Sequence, residues 1–322
     1  MNRAFLYVIS LLSLFLAFEA HAQSTWPARP IRIIVPFGPG AFTDVSARTL
    51  AIELTGQLGQ QVVVENRTGA GGTIGTELAA RATPDGYTLL LSDNSFAISP
   101  GLYARLPYDP LKDFIHVSQI AESPSLMSGR IKLPAKTLQE LVNLARANPG
   151  KLTFGSGGQG SSAHLAMELF LNGAGVKMLH VPFKGVGPAL AEAVADRIDV
   201  VISSLAAGAP HIHNERTRGY AVSGKERHPI LPSVPTYAEA GFPNYDMSYW
   251  WGIAAPAGTP RAIVARLNQE IARAADKPSL KEVFQKQGAR PISSSPADLT
   301  RRVDEEIKTW REVIVRAGVK LE

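Results

Sequence analysis

The chain has 322 residues, 45% of them hydrophobic and 19% charged, which is too long for one comfortable core and too apolar for disorder, so two compact lobes are expected. Its formal net charge of +5 is scattered, with no basic run longer than a pair such as Arg301-Arg302, which argues against the charged stripe of a nucleic-acid binder. The lack of cysteine excludes disulfide scaffolds, thiolate zinc sites, iron–sulfur clusters, cysteine nucleophiles and a lipid-bearing cysteine.

Residues 1–22 read as a secretory signal peptide. Arg3 supplies the positive start, residues 5–18 are apolar apart from two serines, and Ala20-His21-Ala22 places small residues where a signal peptidase reads. Cleavage after Ala22 is expected, giving an exported, periplasmic chain that begins at Gln23. The apolar run falls short of the roughly 20 residues of a membrane span.

Short apolar runs then alternate with amphipathic helices, the pattern of an α/β architecture. Ile31-Arg32-Ile33-Ile34-Val35-Pro36 reads as a strand, followed by the loop Phe37-Gly38-Pro39-Gly40-Ala41-Phe42. A helix starting near Thr43 or Asp44 carries Ala47, Leu50, Ala51, Leu54 and Leu58 on one face, and Gly59 stops it. Residues 61–65 form the next strand. A second glycine loop at 69–75 opens a helix that ends before Pro84-Asp85-Gly86, and residues 87–91 form a third strand.

After Pro124 the plan repeats. Thr137-Leu138-Gln139-Glu140 has capping-box spacing, and Asn148-Pro149-Gly150 ends that helix. Residues 151–154 read as a strand, 155–160 as a glycine loop, 161–172 as a helix, 176–183 as a strand, 187–195 as a helix and 198–202 as a strand. The C-terminal third is helical. Thr259-Pro260 and Ser295-Pro296 each place a capping residue before a proline, and Leu299, Val303, Ile307, Trp310 and Ile314 form a core-facing stripe.

Several chemical readings fail on the residues. Gly155-Ser156-Gly157-Gly158-Gln159-Gly160 matches a dinucleotide fingerprint, but the following Leu179-His180-Val181-Pro182-Phe183-Lys184 lacks the acid that would hold a ribose. No serine sits in a G-x-S-x-G elbow. His211 and His213 lack a third metal ligand nearby and are read as an exposed loop; His164 and His180 are read as hydrogen-bonded structural residues. No catalytic set, metal or cofactor is expected. What survives is two glycine loops, each feeding a helix start whose unpaired N–H groups suit an anion. The same spacing also fits ordinary α/β turns.

The motifs resemble a known family. Trp26-Pro27-x-Arg29-Pro30-Ile31-x-x-Ile34-Val35-Pro36-Phe37-Gly38-Pro39-Gly40, Asp44-Val45-x-Ala47-Arg48, Val64-Glu65-Asn66-Arg67-x-Gly69-Ala70-Gly71-Gly72 and Pro84-Asp85-Gly86-Tyr87-Thr88-Leu89 are similar to the substrate-binding proteins of tripartite tricarboxylate transporters, the Bug (TctC-like) family. His164-Leu165, His180-Val181-Pro182-Phe183-Lys184-Gly185, Pro235-Thr236-x-x-Glu239-x-Gly241 and Ala255-Pro256-Ala257-Gly258-Thr259-Pro260 continue the match through the mature chain.

The resemblance implies a periplasmic-binding-protein-like α/β fold with a ligand cleft between two lobes, residues 24–125 with 249–322 and residues 126–248. It also implies a monomer that takes a small carboxylate to membrane permease subunits, with no enzymatic role. It places the ligand against Phe37, Gly38, Gly40, Ala41, Phe42, Thr43 and Asn94 from one lobe. From the other come Ser156, Gly157, Ser161, Ser162, Pro182, Phe183, Lys184 and Gly185. Backbone N–H groups of residues 40–43 are the expected main donors, and Asp44 is read as a helix-start carboxylate. The chain departs from the family pattern at Ala41, usually glycine, and at Ser99-Pro100, usually Asn-Pro. A sensor of the same ligand and a periplasmic enzyme are the rival classes; no identifiable nucleophile, base or metal set favours the enzyme.

Overall fold

The computed structural model describes residues 26–40 and 42–319. The signal peptide, its cleavage point and Ala41 lie outside the described residues. The first strand, β1 (Ile31–Val35), has Ile31, Ile33, Ile34 and Val35 buried, as befits a parallel strand covered on both faces. Helix α1 (Phe42–Leu58) follows, burying Ala47, Leu50, Ala51 and Leu54 along the expected face. It ends at Gly59, whose φ of 66° a glycine adopts without a Cβ penalty. Strands β2 (Val62–Asn66) and β3 (Thr88–Asp93) pair in parallel on either side of β1. Between them lie a 3-10 turn at Ala70–Gly72 and α2 (Thr73–Ala80).

Helix α3 (Asn94–Leu102) leads to β4 (Phe114–Arg130). Then come α4 (Leu138–Ala147), β5 (Thr153–Ser156), α5 (Ser162–Ala174), β6 (Leu179–Pro182) and α6 (Val186–Val194). Strand β7 (Val200–Ser204), α7 (Leu205–His213) and β8 (Thr217–Val222) complete that part. The chain returns through β9 (Ser248–Pro256), α8 (Arg261–Ala275), α9 (Pro278–Lys286), the short β10 (Arg290–Pro291) and α10 (Pro296–Ala317).

The strand order is β2-β1-β3-β9-β4-β7-β5-β6, with β10 and β8 also on β4. Strand β4 spans the whole arrangement. Its residues 114–124 pair with β9, whereas residues 125–129 pair with β7, and 126–130 with β8. Helix α10 buries Leu299, Val303, Ile307, Trp310 and Ile314, as the stripe predicts, and packs on α3, β4 and α5. No helix among the described residues is long and apolar enough to cross a membrane.

Local signals place most helix starts. Ser295 caps α10 by accepting from the Asp298 amide, with Pro296 in the first turn. Thr137 accepts from the Glu140 amide, while Glu140 reaches back to the Lys136 amide, one residue earlier than a standard capping box. Thr259 departs from expectation. Its hydroxyl donates to the Pro256 carbonyl and closes the preceding turn, so Pro260 flanks α8 without a side-chain cap. His211 and His213 lie in the last turn of α7, not in a loop. The strand expected at 176–183 pairs only from Leu179, because the Lys177 carbonyl is committed to the Gly150 amide across the turn.

Gly75 sets how closely α2 approaches the first glycine loop. A Cβ there would lie 2.5 Å from the Arg67 carbonyl oxygen and 2.9 Å from Pro36 Cα. Both are backbone atoms that cannot swing aside. Gly75→Ala is therefore expected to destabilise the protein by about 1–3 kcal/mol in urea unfolding. Gly56→Ala on α1, where a Cβ meets nothing within 4 Å, is expected to stabilise it by about 0.5–1 kcal/mol.

Candidate ligand-binding site

A cavity of about 710 Å³ opens between the two parts of the chain. Five helices present their first turns or capping residues to it. From one side come α1, at Phe42 and Thr43, and α3, at Asp93, Asn94 and Ser95; from the other come α5 at Ser161 and Ser162, α6 at Val186 and Gly187, and α7 at Ser204 and Ala206. First-turn amides have no intrahelical acceptor, and the peptide dipoles add partial positive charge there. Gly185, the residue before α6, has no side-chain bond to the helix, which leaves its first amides uncapped by a side chain. Among the described residues that line the cavity there is no Lys, Arg or His. What the arrangement can offer an anion is backbone N–H groups rather than cationic side chains.

The first glycine loop is braced from beneath. Asp44 is buried and accepts from the Gly40 amide at 3.1 Å, Asn66 Nδ2 at 2.9 Å and Arg48 Nε at 3.0 Å. Asn66 Nδ2 also donates to the Phe37 carbonyl at 2.9 Å. Burial opposes the Asp44 charge, but hydrogen bonds from Arg48, Asn66 and Gly40 outweigh it and hold the carboxyl below its ordinary range. Asp44 is thus the helix-start carboxylate expected from the sequence. The Gly40 amide, expected as a ligand donor, is instead committed to Asp44. Above the brace, Trp251 Nε1 donates to Thr43 Oγ1 at 3.0 Å, and the Phe42 ring meets Trp251 edge-on at 4.4 Å.

The glycine loop at 155–160 rests on a pair of histidines. His164 and His180 stack with ring centroids 3.8 Å apart, and Phe154 stacks on His180 at 4.8 Å. The Gly160 amide donates to His164 Nδ1 at 3.0 Å. His180 Nε2 and Ser156 Oγ share a 2.6 Å hydrogen bond, and Ser156 Oγ also bonds both the carbonyl and the amide of Gly158. Both histidines are structural, as the sequence suggested.

Of the residues expected at the ligand, Phe37, Gly40, Phe42, Thr43, Asn94, Gly157, Ser161 and Ser162 line the cavity. Ser156 does not; it is fully buried against His180, facing the brace. Gly38 stands outside the lining too. Pro182, Phe183, Lys184 and Gly185 also miss it, because Phe183 packs against the Ala189–Leu190–Ala193 cluster, Lys184 is exposed, and the chain meets the cavity from Val186 onward, at Val186 and Gly187. Asn94 is present, but its side chain is committed: Oδ1 accepts from the Trp250 amide, and Nδ2 donates to the Ser248 carbonyl and to Glu306.

Sequence reasoning missed Asp93, Ser95, Ser204 and Gly187. Two of them carried a readable signal: Asp93 and Ser204 are capping residue types placed directly at a strand end.

Two α/β sheets joined through a shared strand, with a cavity between them, define a two-lobed periplasmic-binding-protein-like fold. The family model described as "Tripartite tricarboxylate transporter family receptor" (TctC) matches residues 46–319, and the chain belongs to that family. It is 38% identical to protein BugT of Bordetella pertussis over 320 residues, 98% of each chain. It is similar in structure to Rpa4515 of R. palustris solved with adipate (TM-score 0.83, 36% identity, covering 92% of this chain and 100% of that one). A similar likeness holds for MatC of Rhodopseudomonas palustris with bound malate (TM-score 0.80, 33% identity, 90% and 100% covered).

The buried histidines give the fold an acid limit. Burial pushes His164 down to about 4, with His180 adding to the effect, and likewise lowers His180 and the buried His116 to about 4. Below the ordinary value of 6.5 the unfolded chain binds protons that the folded chain refuses. Stability is therefore fully present above pH 6.5 and falls as the pH drops towards 4, by about 3 kcal/mol for His164 at the limit. Thermal melts between pH 7.5 and 4.5 are expected to show this fall. His164→Asn, which keeps an acceptor for the Gly160 amide but does not titrate, is expected to make it shallower.

Proposed function

We propose that the protein is a periplasmic receptor that captures a small carboxylate between its lobes and delivers it, unchanged, to the membrane permease of a tripartite tricarboxylate transporter. The observation that carries this reading is the meeting of five helix starts at a cavity whose described lining holds no cationic side chain. The carboxylates bound by the two R. palustris relatives support the same ligand class. In this reading the lobes comprise residues 24–125 with 249–322 and residues 126–248, and residues 1–22 are the export signal. A hinge near residues 124 and 248 is supported by the change of β4 partners after Pro124 and the start of β9 at Ser248.

A hydrogen bond to a charged group contributes about 1.5–3 kcal/mol. Three or four such bonds offset the cost of ordering and still leave about −8 kcal/mol, a micromolar affinity. The donors in this reading are first-turn amides of α1 together with Ser161, Ser162 and the start of α6. Their geometry depends on the loop backbone. Gly40 lines the cavity at a φ of 92°, where a β-branched residue is strained although no neighbouring atom blocks it.

Calorimetry with a panel of mono- and dicarboxylates tests the reading. Gly40→Val is expected to abolish binding while the protein stays folded, and Thr43→Ala, which removes the acceptor of Trp251 Nε1, to cost about 1 kcal/mol. Lys184→Ala is expected to bind as the parent does. Loss of binding in Lys184→Ala with retention in Gly40→Val would reject backbone capture.

A further inference from the structure

Asp93 is the one charged side chain among the described residues that line the cavity. It stands at the end of β3, where Oδ1 accepts from the amide and the hydroxyl of Ser95, at 2.9 and 2.5 Å. Its second oxygen has no partner among the described residues, and no Lys or Arg forms an ion pair with it there. The contrast with Asp44 is direct, since the more deeply buried Asp44 has three donors, one of them Arg48. The nearby ionisable group is a second carboxylate, Glu306, which is already paired with Arg302 at 3.1 Å. Burial and Glu306 push Asp93 up to about 6 against the pull of Ser95, so it is still largely ionised at pH 7.5.

A half-buried carboxylate without a counter-charge is costly, and lobe closure would desolvate it further. The cap of α3 needs only a hydrogen-bond acceptor, which Asn or Ser supplies without charge. The negative charge therefore has no evident use in holding the fold. It has one in the cavity, where the remaining helix starts favour a ligand carboxylate and Asp93 favours a cation. A plain diacid would bring a like charge to Asp93 or would have to bind together with a proton.

Resting on carboxylate capture as proposed above, we propose that Asp93 is a specificity determinant that makes the cavity select small carboxylates bearing an ammonium group over dicarboxylates of the same length. The ligand carboxylate lies at the helix starts and its ammonium at the open oxygen of Asp93. Removing one partner of a desolvated charge pair costs enough to change affinity by about tenfold or more, and removing a like charge has the opposite sign.

The test is calorimetry at pH 7.5 with matched acids of four to six carbons, each diacid paired with the amino acid in which one carboxylate is replaced by an ammonium. In the parent protein the amino-carboxylates are expected to bind about tenfold or more tightly than their diacids. Asp93→Asn, which retains the cap, is expected to lose that preference and to gain affinity for the diacids; a thermal melt confirms that it is folded, and Asp93→Ser serves as the second capping replacement. A parent preference for diacids, or a ratio unchanged in both variants, overturns the role of Asp93 and leaves carboxylate capture standing. Absence of binding by every acid, simple monocarboxylates included, overturns capture and with it this inference.

Discussion

Because β4 gives residues 114–124 to one sheet and residues 125–130 to the other, both halves of the molecule are built on one continuous strand. Helix α10 clamps this crossing. Arg302 reaches Gln119 and Glu122 on β4 and Ser248 at the entry to β9, and its guanidinium lies 5.6 Å from the centre of the Trp250 ring. It also pairs with Glu306, which accepts from Asn94 at the cavity wall. One polar chain thus connects the crossing strands to the start of α3. The cavity's shape is tied to the geometry of the crossing through groups that hold each other in place.

The two glycine loops reach the same physical end by different chemistry. One is tied down by a carboxylate, Asp44, and the other by a stacked pair of neutral histidines. In each case a buried side chain takes up a loop amide and fixes the backbone, leaving the helix-start amides beyond it to face the cavity. Fixed backbone dipoles need no rearrangement when a charge arrives, whereas a flexible lysine would have to be ordered and desolvated. The chain's net positive charge lies outside the cavity; among the described residues that line it, the one charged side chain is Asp93.

The elements that depend on neighbours in sequence were legible from the sequence. The apolar run of β1, the face of α1, the Ser295-Pro296 start of α10 and its buried stripe follow from residue type and spacing, which are local properties. The family motifs and the two glycine loops were legible for the same reason. Eight of the expected ligand residues line the cavity, and most of them sit in a glycine loop or at the helix start it feeds.

Only the tertiary structure decided which way the remaining groups face. Ser156 sits in a glycine loop like a ligand contact, yet its hydroxyl turns inward to a histidine 24 positions on. Gly40 looks like a free donor until Asp44 takes its amide. The turn at 182–185 carries a family motif but passes beside the cavity, and Asp93 carries no motif yet stands in its wall. Thr43 and Trp251, 208 positions apart, share one hydrogen bond at the site. Periodicity and capping act over a few residues, whereas a cavity is made where distant segments meet, and their meeting depends on how both sheets pack.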